Sequence, residues 1–253
     1  MTASNGQHRP ALLAIDTATS RVVIALARAD RRPGELPSGA PPAGAPPAGE
    51  PPLGESSWVA GQHHGETLLP ALDRLLGTTG VNRADLTAVV VGTGPGTFTG
   101  LRVGISTAKG LAHGLGIPII GVSTAAALLA GMDAAQPEGT GGPPQALLLP
   151  AGPQDRVLVK DGIAQLLPAG SDPDLEPGTT LVAVDLDGRA APDAVARGER
   201  ALSGLGPALL RLGAARLASH GGDDLARLVP DYVTLPRGVR REAGEVSWSR
   251  DRR

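Results

Sequence analysis

Short unbroken apolar runs, and longer stretches with an apolar residue every three or four positions, divide this chain into strands and helices. Ala11-Leu12-Leu13-Ala14-Ile15 ends in the polar turn Asp16-Thr17-Ala18-Thr19-Ser20, and Val22-Val23-Ile24-Ala25-Leu26-Ala27 follows at once. Two such runs joined by a short polar turn predict a hairpin. Ser57-Trp58-Val59-Ala60 supplies a third strand. Leu68, Leu69, Leu72, Leu75 and Leu76 then recur at helical spacing, which predicts a helix with one apolar stripe. It is expected to begin near Glu66 or Thr67, so that Pro70 falls in the first turn, where its missing N–H has no intrahelical partner. Gly77 or Gly80 ends it. A buried strand over 86–91, a helix over about 98–115 and a strand over 117–122 complete a first unit. In the second half the pattern predicts a helix over 125–131, strands at 146–149, 157–160 and 181–184, and a helix over 202–219.

Between the strand ending in Val89-Val90-Val91 and the helix at Phe98 stands Gly92-Thr93-Gly94-Pro95-Gly96-Thr97. Glycines there let the backbone turn sharply and expose amide hydrogens beside a helix N-terminus, where an anion or another backbone can approach. The spacing is neither a dinucleotide fingerprint nor a Walker loop, since no Gly-Lys-Ser/Thr closes it. Two readings stand: phosphate contacts from Gly94 and Gly96 with Asp16 and Thr17 on the neighbouring turn, or a tight strand-to-helix turn that binds nothing. Asp16 likewise either orients a nucleotide-bound cation or water, or caps turn amides.

The following helix carries Gly100, Gly104, Gly110 and Gly114 in its interior. At about 1 kcal/mol each relative to alanine they cost the helix about 4 kcal/mol, so something must offset them. Gly100 and Gly104 share a face at i,i+4, where another backbone can pack closely, and Leu101, Ile105, Ala108 and Leu115 form the adjoining stripe. With Leu68, Leu69, Leu72 and Leu76 of the preceding helix, these residues either dock a partner subunit or are spent on the internal core.

Composition narrows the function. Of the 253 residues 41% are hydrophobic but only 2% aromatic, and the net charge is −2. This argues against base-stacking platforms and phosphate-binding surfaces, hence against nucleic-acid binding by the chain alone. Residues 31–54 are dominated by Pro, Gly and Ala, with Pro-Pro-Ala-Gly twice, which predicts an extended inserted loop. The absence of cysteine excludes disulfides, thiolate zinc sites and a cysteine nucleophile. Residues 1–10 lack the apolar core of a secretory signal and no apolar run reaches membrane-spanning length, so cytoplasmic residence with no membrane role is expected. Only five histidines occur. His63 and His64 are adjacent and point different ways, and His8, His113 and His220 are isolated, so no metal site is expected. No Gly-x-Ser-x-Gly elbow is present, and Ser106 and Ser123 have no assigned base. No catalytic residue is assigned.

Three segments together resemble one family: Ile15-Asp16-Thr17-Ala18-Thr19; His64-Gly65-Glu66-Thr67-Leu68-Leu69-Pro70; and Gly94-Pro95-Gly96-Thr97-Phe98-Thr99-Gly100-Leu101-Arg102-Val103-Gly104 continuing through Ile119-Ile120-Gly121-Val122-Ser123-Thr124. Over about Leu12 to Ala130 the chain resembles the bacterial TsaB (YeaZ) family of the actin-like, sugar-kinase and Hsp70-type ATPase superfamily. The resemblance implies an α/β, ribonuclease H-like fold of two lobes, each a mixed sheet with helices: a first lobe over 11–124 and a shortened second lobe over 125–236; the composition of 1–10 and 237–253 predicts flexible termini. The resemblance also implies a non-catalytic subunit that pairs with TsaD, and with the ATPase TsaE, in threonylcarbamoyl transfer to the adenosine next to a tRNA anticodon. Contact with tRNA would arise only through the complex. ATP or ADP would also belong to the complex, and the isolated chain would carry no cofactor and could pair with itself. In TsaD a His-x-x-x-His motif holds a metal, and Thr124 and Leu128 stand at the matching positions here. The interface would be the two helices described above. The alternative is an independent ATPase, kinase or metallopeptidase of the same superfamily.

The chain departs from that pattern in places. Leu149-Pro150-Ala151-Gly152 replaces an expected Asp-Ala-Arg-like segment. Val229-Pro230-Asp231-Tyr232-Val233-Thr234 resembles a closing Pro-x-Tyr-Leu-Arg with Thr234 in place of arginine, and it receives no role. The arginine-rich tail from Arg237 is expected to be solvated.

Overall fold

The computed structural model describes residues 10–29, 51–59, 61, 64–132, 143–233, 239–242 and 245–248. The expectations for residues 1–9 and for 31–50 of the inserted loop expected over 31–54 lie outside them, and Gly54, within that expected loop, already belongs to a strand. Strands β1 (Ala11–Asp16), β2 (Arg21–Arg28), β3 (Gly54–Val59), β4 (Leu86–Gly92) and β5 (Ile119–Val122) form one sheet in the order β3-β2-β1-β4-β5. Strands β6 (Gln145–Pro150), β7 (Arg156–Lys160), β8 (Ile163–Leu167) and β9 (Thr180–Ala183) form a second, ordered β8-β7-β6-β9. The helices are α1 (His64–Thr79), α2 (Phe98–Leu115), α3 (Thr124–Met132), α4 (Pro192–Ser203) and α5 (Leu205–His220).

β1 is the central strand, antiparallel to β2 and parallel to β4, and all six of its residues are buried. That is why its sequence is an unbroken apolar run: both faces are covered, so alternation has no selective meaning. Leu13 and Ile15 join Val89 and Val91 beneath α1 and α2, whereas Leu12 and Ala14 join Ala88 and Val90 in a core shared with α3, α5 and the second sheet. Both α1 and α2 leave strands that run in the same direction as β1, so the two helices start at the same end of the sheet and lie side by side. α5 packs against β1, β2, β4 and β5. Residues assigned from sequence to the second lobe therefore cover the first sheet, and one core runs between the two sheets.

Several elements differ from expectation. β3 begins at Gly54, three residues early. α1 begins at His64, which places Pro70 beyond the first turn. Pro70 and Glu66 are both exposed, so the N–H that proline lacks falls on the water-facing side of the helix. Gly77 lies within α1, and Gly80, at φ +69°, follows its end. β8 and α4 were not anticipated. The turn between β7 and β8 is Asp161-Gly162, with φ of +52° and +75°, a sequence signal for a tight hairpin that was present to be read. The predicted helix over 202–219 is two helices that meet at Gly204, which lies against the backbone of Gly131. Within the tail, backbone pairs join β10 (Val239–Glu242) to β11 (Glu245–Trp248), so the tail contains regular structure.

A methyl group on Gly198 of α4 would collide with the Ala183 carbonyl of β9, whereas Gly110 of α2 has open space around it. Gly198→Ala is expected to lower stability by about 1–3 kcal/mol through overpacking. Gly110→Ala should raise it by about 0.5–1 kcal/mol through helix propensity. Urea unfolding of the two variants beside wild type reads both changes.

Candidate functional site

The polar and glycine residues singled out in the sequence converge where β1, β4, α2 and α3 meet. Asp16 closes β1 and is 0% exposed. Its carboxylate accepts the Thr124 hydroxyl at 2.6 Å and the Ala18 N–H at 2.8 Å. The Thr124 oxygen also accepts the Gly94 N–H at 3.1 Å, and the Thr124 N–H donates to the Gly94 carbonyl at 2.8 Å. One hydroxyl thus ties the end of the central strand to the turn after β4. Gly92 makes room for the pair, since a Cβ there would collide with the Asp16 carboxylate. Burial pushes the Asp16 carboxyl up to about 6, and the bonds from Thr124 and Ala18 pull the other way without cancelling it.

The glycines of the turn and of α2 do face an incoming backbone, as expected, but that backbone is the chain's own. Gly96 and Gly100 sit against the carbonyls of Ala18 and Thr17, and Gly104 sits against the Thr17 side chain. The Thr97 N–H donates to the Ala18 carbonyl at 2.7 Å, and the Thr17 hydroxyl donates to the Gly100 carbonyl at 2.6 Å. The turn between β1 and β2 therefore fills the notch at the N-terminus of α2. Gly94, at φ +108°, lies under the Asp231 carbonyl and the Leu101 side chain.

Two sequence expectations need correction here. Asp16, Thr17 and Gly94 are buried and Gly96 is packed on Ala18, so the four do not line an open phosphate site. Of the nine residues expected at a subunit interface, Leu68, Leu72, Leu76, Gly100, Leu101, Gly104, Ile105 and Ala108 are buried within this chain. Only Leu69, 49% exposed, faces outward. The reason is geometric: the apolar stripes of α1 and α2 that periodicity detects are the ones that cover the sheet. The outward sides carry Glu66, Leu69, Pro70, Asp73 and Arg74 on α1, and Thr99, Arg102, Ser106, Gly110 and His113 on α2.

Thr124 and Leu128, at the positions compared with metal-holding histidines, are both 0% exposed. A hydroxyl already shared between Asp16 and Gly94, next to an alkyl side chain, does not fit a metal ion. Among the described residues no three His, Cys, Asp or Glu side chains converge, and no helix is long and apolar enough to cross a membrane.

The segment 221–233, of which only 229–234 is singled out by the sequence and without a role, runs back along the free edge of β5. The Asp223 N–H donates to the Ile119 carbonyl at 2.8 Å, and the Asp223 carboxylate accepts the Gly121 N–H at 2.7 Å. Asp231 then donates its N–H to the Thr93 carbonyl at 2.8 Å. This brings Tyr232 onto Phe98, with ring centroids 5.0 Å apart. The lone tyrosine and lone phenylalanine were the available signal, but nothing local connects residues so far apart.

Because its folded value is raised from an ordinary 3.8, the Asp16 carboxyl stabilises the fold below that pH and loses this contribution as pH rises through about 6. Wild type is therefore expected to lose about 2–3 kcal/mol between pH 4 and pH 7 that Asp16→Asn does not lose. Urea unfolding of both proteins across that range measures the difference, and parallel pH profiles would contradict it.

The TsaB protein of Escherichia coli K12, described as a tRNA threonylcarbamoyladenosine biosynthesis protein, is 46% identical over 63 residues, 25% of this chain and 27% of that one. Its Haemophilus influenzae counterpart is 39% identical over 70 residues, 28% of this chain and 30% of that one. The matched stretch thus spans under a third of these curated relatives. YeaZ from Pseudomonas aeruginosa superposes with a TM-score of 0.57 at 23% identity, covering 88% of this chain and 99% of that one. That likeness establishes the fold: two mixed sheets with helices in the actin-like, ribonuclease H-like arrangement. A family model described as TsaD, tRNA N6-adenosine threonylcarbamoyltransferase, matches residues 58–198, more than half of the sequence, and the chain belongs to that family.

Proposed function

We propose that this chain is a non-catalytic subunit in the biosynthesis of tRNA threonylcarbamoyladenosine, a cytoplasmic partner that pairs with and activates a TsaD-type transferase. The observation that carries this reading is the occupancy of the glycine notch: the elements that would cradle a phosphate hold the chain's own turn, and Asp16 is committed to Thr124. A family member whose pocket is filled by itself is suited to shaping another subunit rather than to performing the transfer. The E. coli and H. influenzae relatives, both named for threonylcarbamoyladenosine biosynthesis, support the pathway.

The pairing surface is the outward side of α1 and α2, with Leu69 as its exposed apolar anchor. ATP or ADP, TsaE and tRNA engage the assembled complex, not the isolated chain. The same surface lets the chain pair with itself when the transferase is absent. Co-expression with a TsaD-type subunit, followed by measurement of threonylcarbamoyladenosine in tRNA with and without this chain, tests the reading. Modification that proceeds equally well without it would overturn the assignment.

Leu69→Asp is expected to leave thermal stability unchanged and to weaken pairing at least about tenfold, equivalent to about 1.4 kcal/mol. Leu72→Asp, which puts a carboxylate into the core beneath α1, should instead unfold the protein. Affinity measurements and melting curves on the two variants separate surface from core.

A further inference from the structure

The chain contains one phenylalanine and one tyrosine, and the fold brings them together around a single arginine. The Arg102 guanidinium carbon lies 4.1 Å from the Phe98 ring centroid, and Arg102 Nε donates to the Tyr232 hydroxyl at 3.2 Å. Phe98 and Arg102 are one turn apart on α2. Tyr232 arrives from 130 residues away, on a segment fixed by the Asp223 and Asp231 backbone bonds to β5 and to the turn after β4. Stacking and the Nε bond hold the guanidinium plane at the surface, and its two terminal nitrogens have no protein acceptor among the described residues. Arg21, Arg83, Arg216 and Arg227 each meet a carboxylate, whereas Arg102 and the exposed Arg28, Arg74 and Arg200 meet none among the described residues; what distinguishes Arg102 is the ring and the hydroxyl that fix its plane.

We propose that Arg102, oriented by Phe98 and Tyr232, receives a carboxylate side chain of the partner subunit in a two-pronged ion pair. This rests on the pairing function given above and names the polar anchor of that surface. Arg102 occupies the second turn of α2 and Leu69 the second turn of α1. The helices start at the same end of the sheet and lie side by side, so an apolar anchor and a charged one stand near the same level. A planar fork whose orientation is already fixed loses little freedom on binding, and its two parallel N–H groups match a carboxylate. Arginine and tyrosine are also the residue types that concentrate binding energy at interfaces. A carboxylate fits better than the phosphates of an RNA strand. Backbone binding to RNA needs several cations, whereas the outward positions nearest Arg102 on α2 are Thr99 and Ser106, and the outward side of α1 carries Glu66 and Asp73.

The test uses the full chain and a TsaD-type subunit from the same cell, with affinity measured at low and high salt. Arg102→Ala is expected to weaken pairing about 30-fold or more, and Arg102→Lys about tenfold although the charge is kept, because the fork is lost. Tyr232→Phe, which removes only the orienting hydroxyl, should cost about threefold. All three should melt like wild type. Replacing the partner's surface carboxylates by amides one at a time should find one whose loss is not additive with Arg102→Ala. Wild-type affinity in both Arg102 variants would overturn the proposal while leaving the pairing function intact. Unchanged pairing with loss of tRNA binding by the complex would overturn it in favour of a phosphate. Failure of the wild-type chain to pair at all would remove the pairing function itself.

Discussion

The hydrogen bond from the Thr124 hydroxyl to the buried Asp16 carboxylate is the constraint on which the arrangement around it depends. It joins the end of the central strand to the first residue of α3, and through the same oxygen it holds the Gly94 N–H of the turn that launches α2. A carboxylate without access to water is costly unless hydrogen-bonded. The position of α3, the absence of a side chain at Gly92 and the path of the glycine turn are therefore linked requirements. Once Asp16 is placed, the next two residues can lie only against the N-terminal turns of α2, and Gly96, Gly100 and Gly104 are where that contact is closest.

That contact explains what offsets the helix-propensity cost of two of the four glycines in α2. Gly100 and Gly104 admit the Thr17 backbone and hydroxyl, and the Thr17–Gly100 bond at 2.6 Å is buried. Gly110 and Gly114 admit nothing. The same economy recurs across the sheet, where Gly213 of α5 lies on Val90 and Gly198 of α4 on the Ala183 backbone. A core with almost no aromatic side chains gains close packing by bringing backbones together, which preserves interior density without large residues.

Much of this was legible. The unbroken runs at 11–15 and 86–91 and the leucine stripe of α1 carry their own periodicity, and the glycine notch was visible as a place for close approach. What failed was attribution. Eight of nine interface residues proved internal because an apolar stripe records which side is buried but not what buries it. The helix expected over 202–219 joins the last two residues of α4 to α5 because helical spacing continues across Gly204, where contact with the Gly131 backbone leaves no space for a Cβ. The segment 221–233 carries no periodicity at all, since its bonds run from backbone to the edge of β5.

From the sequence alone come the strands and helices that repeat a local pattern, the break after β4, and the scarcity of histidine that leaves no ligand cluster in view. Tertiary structure decided that the chain's own turn occupies the notch, that Asp16 faces Thr124 instead of a ligand, and that Phe98, Arg102 and Tyr232 share one surface. The division follows from range. Periodicity is imposed by the dihedrals of neighbouring residues, whereas Thr17 and Gly100, or Arg102 and Tyr232, are 83 and 130 positions apart and meet only after the sheet has set their elements in place.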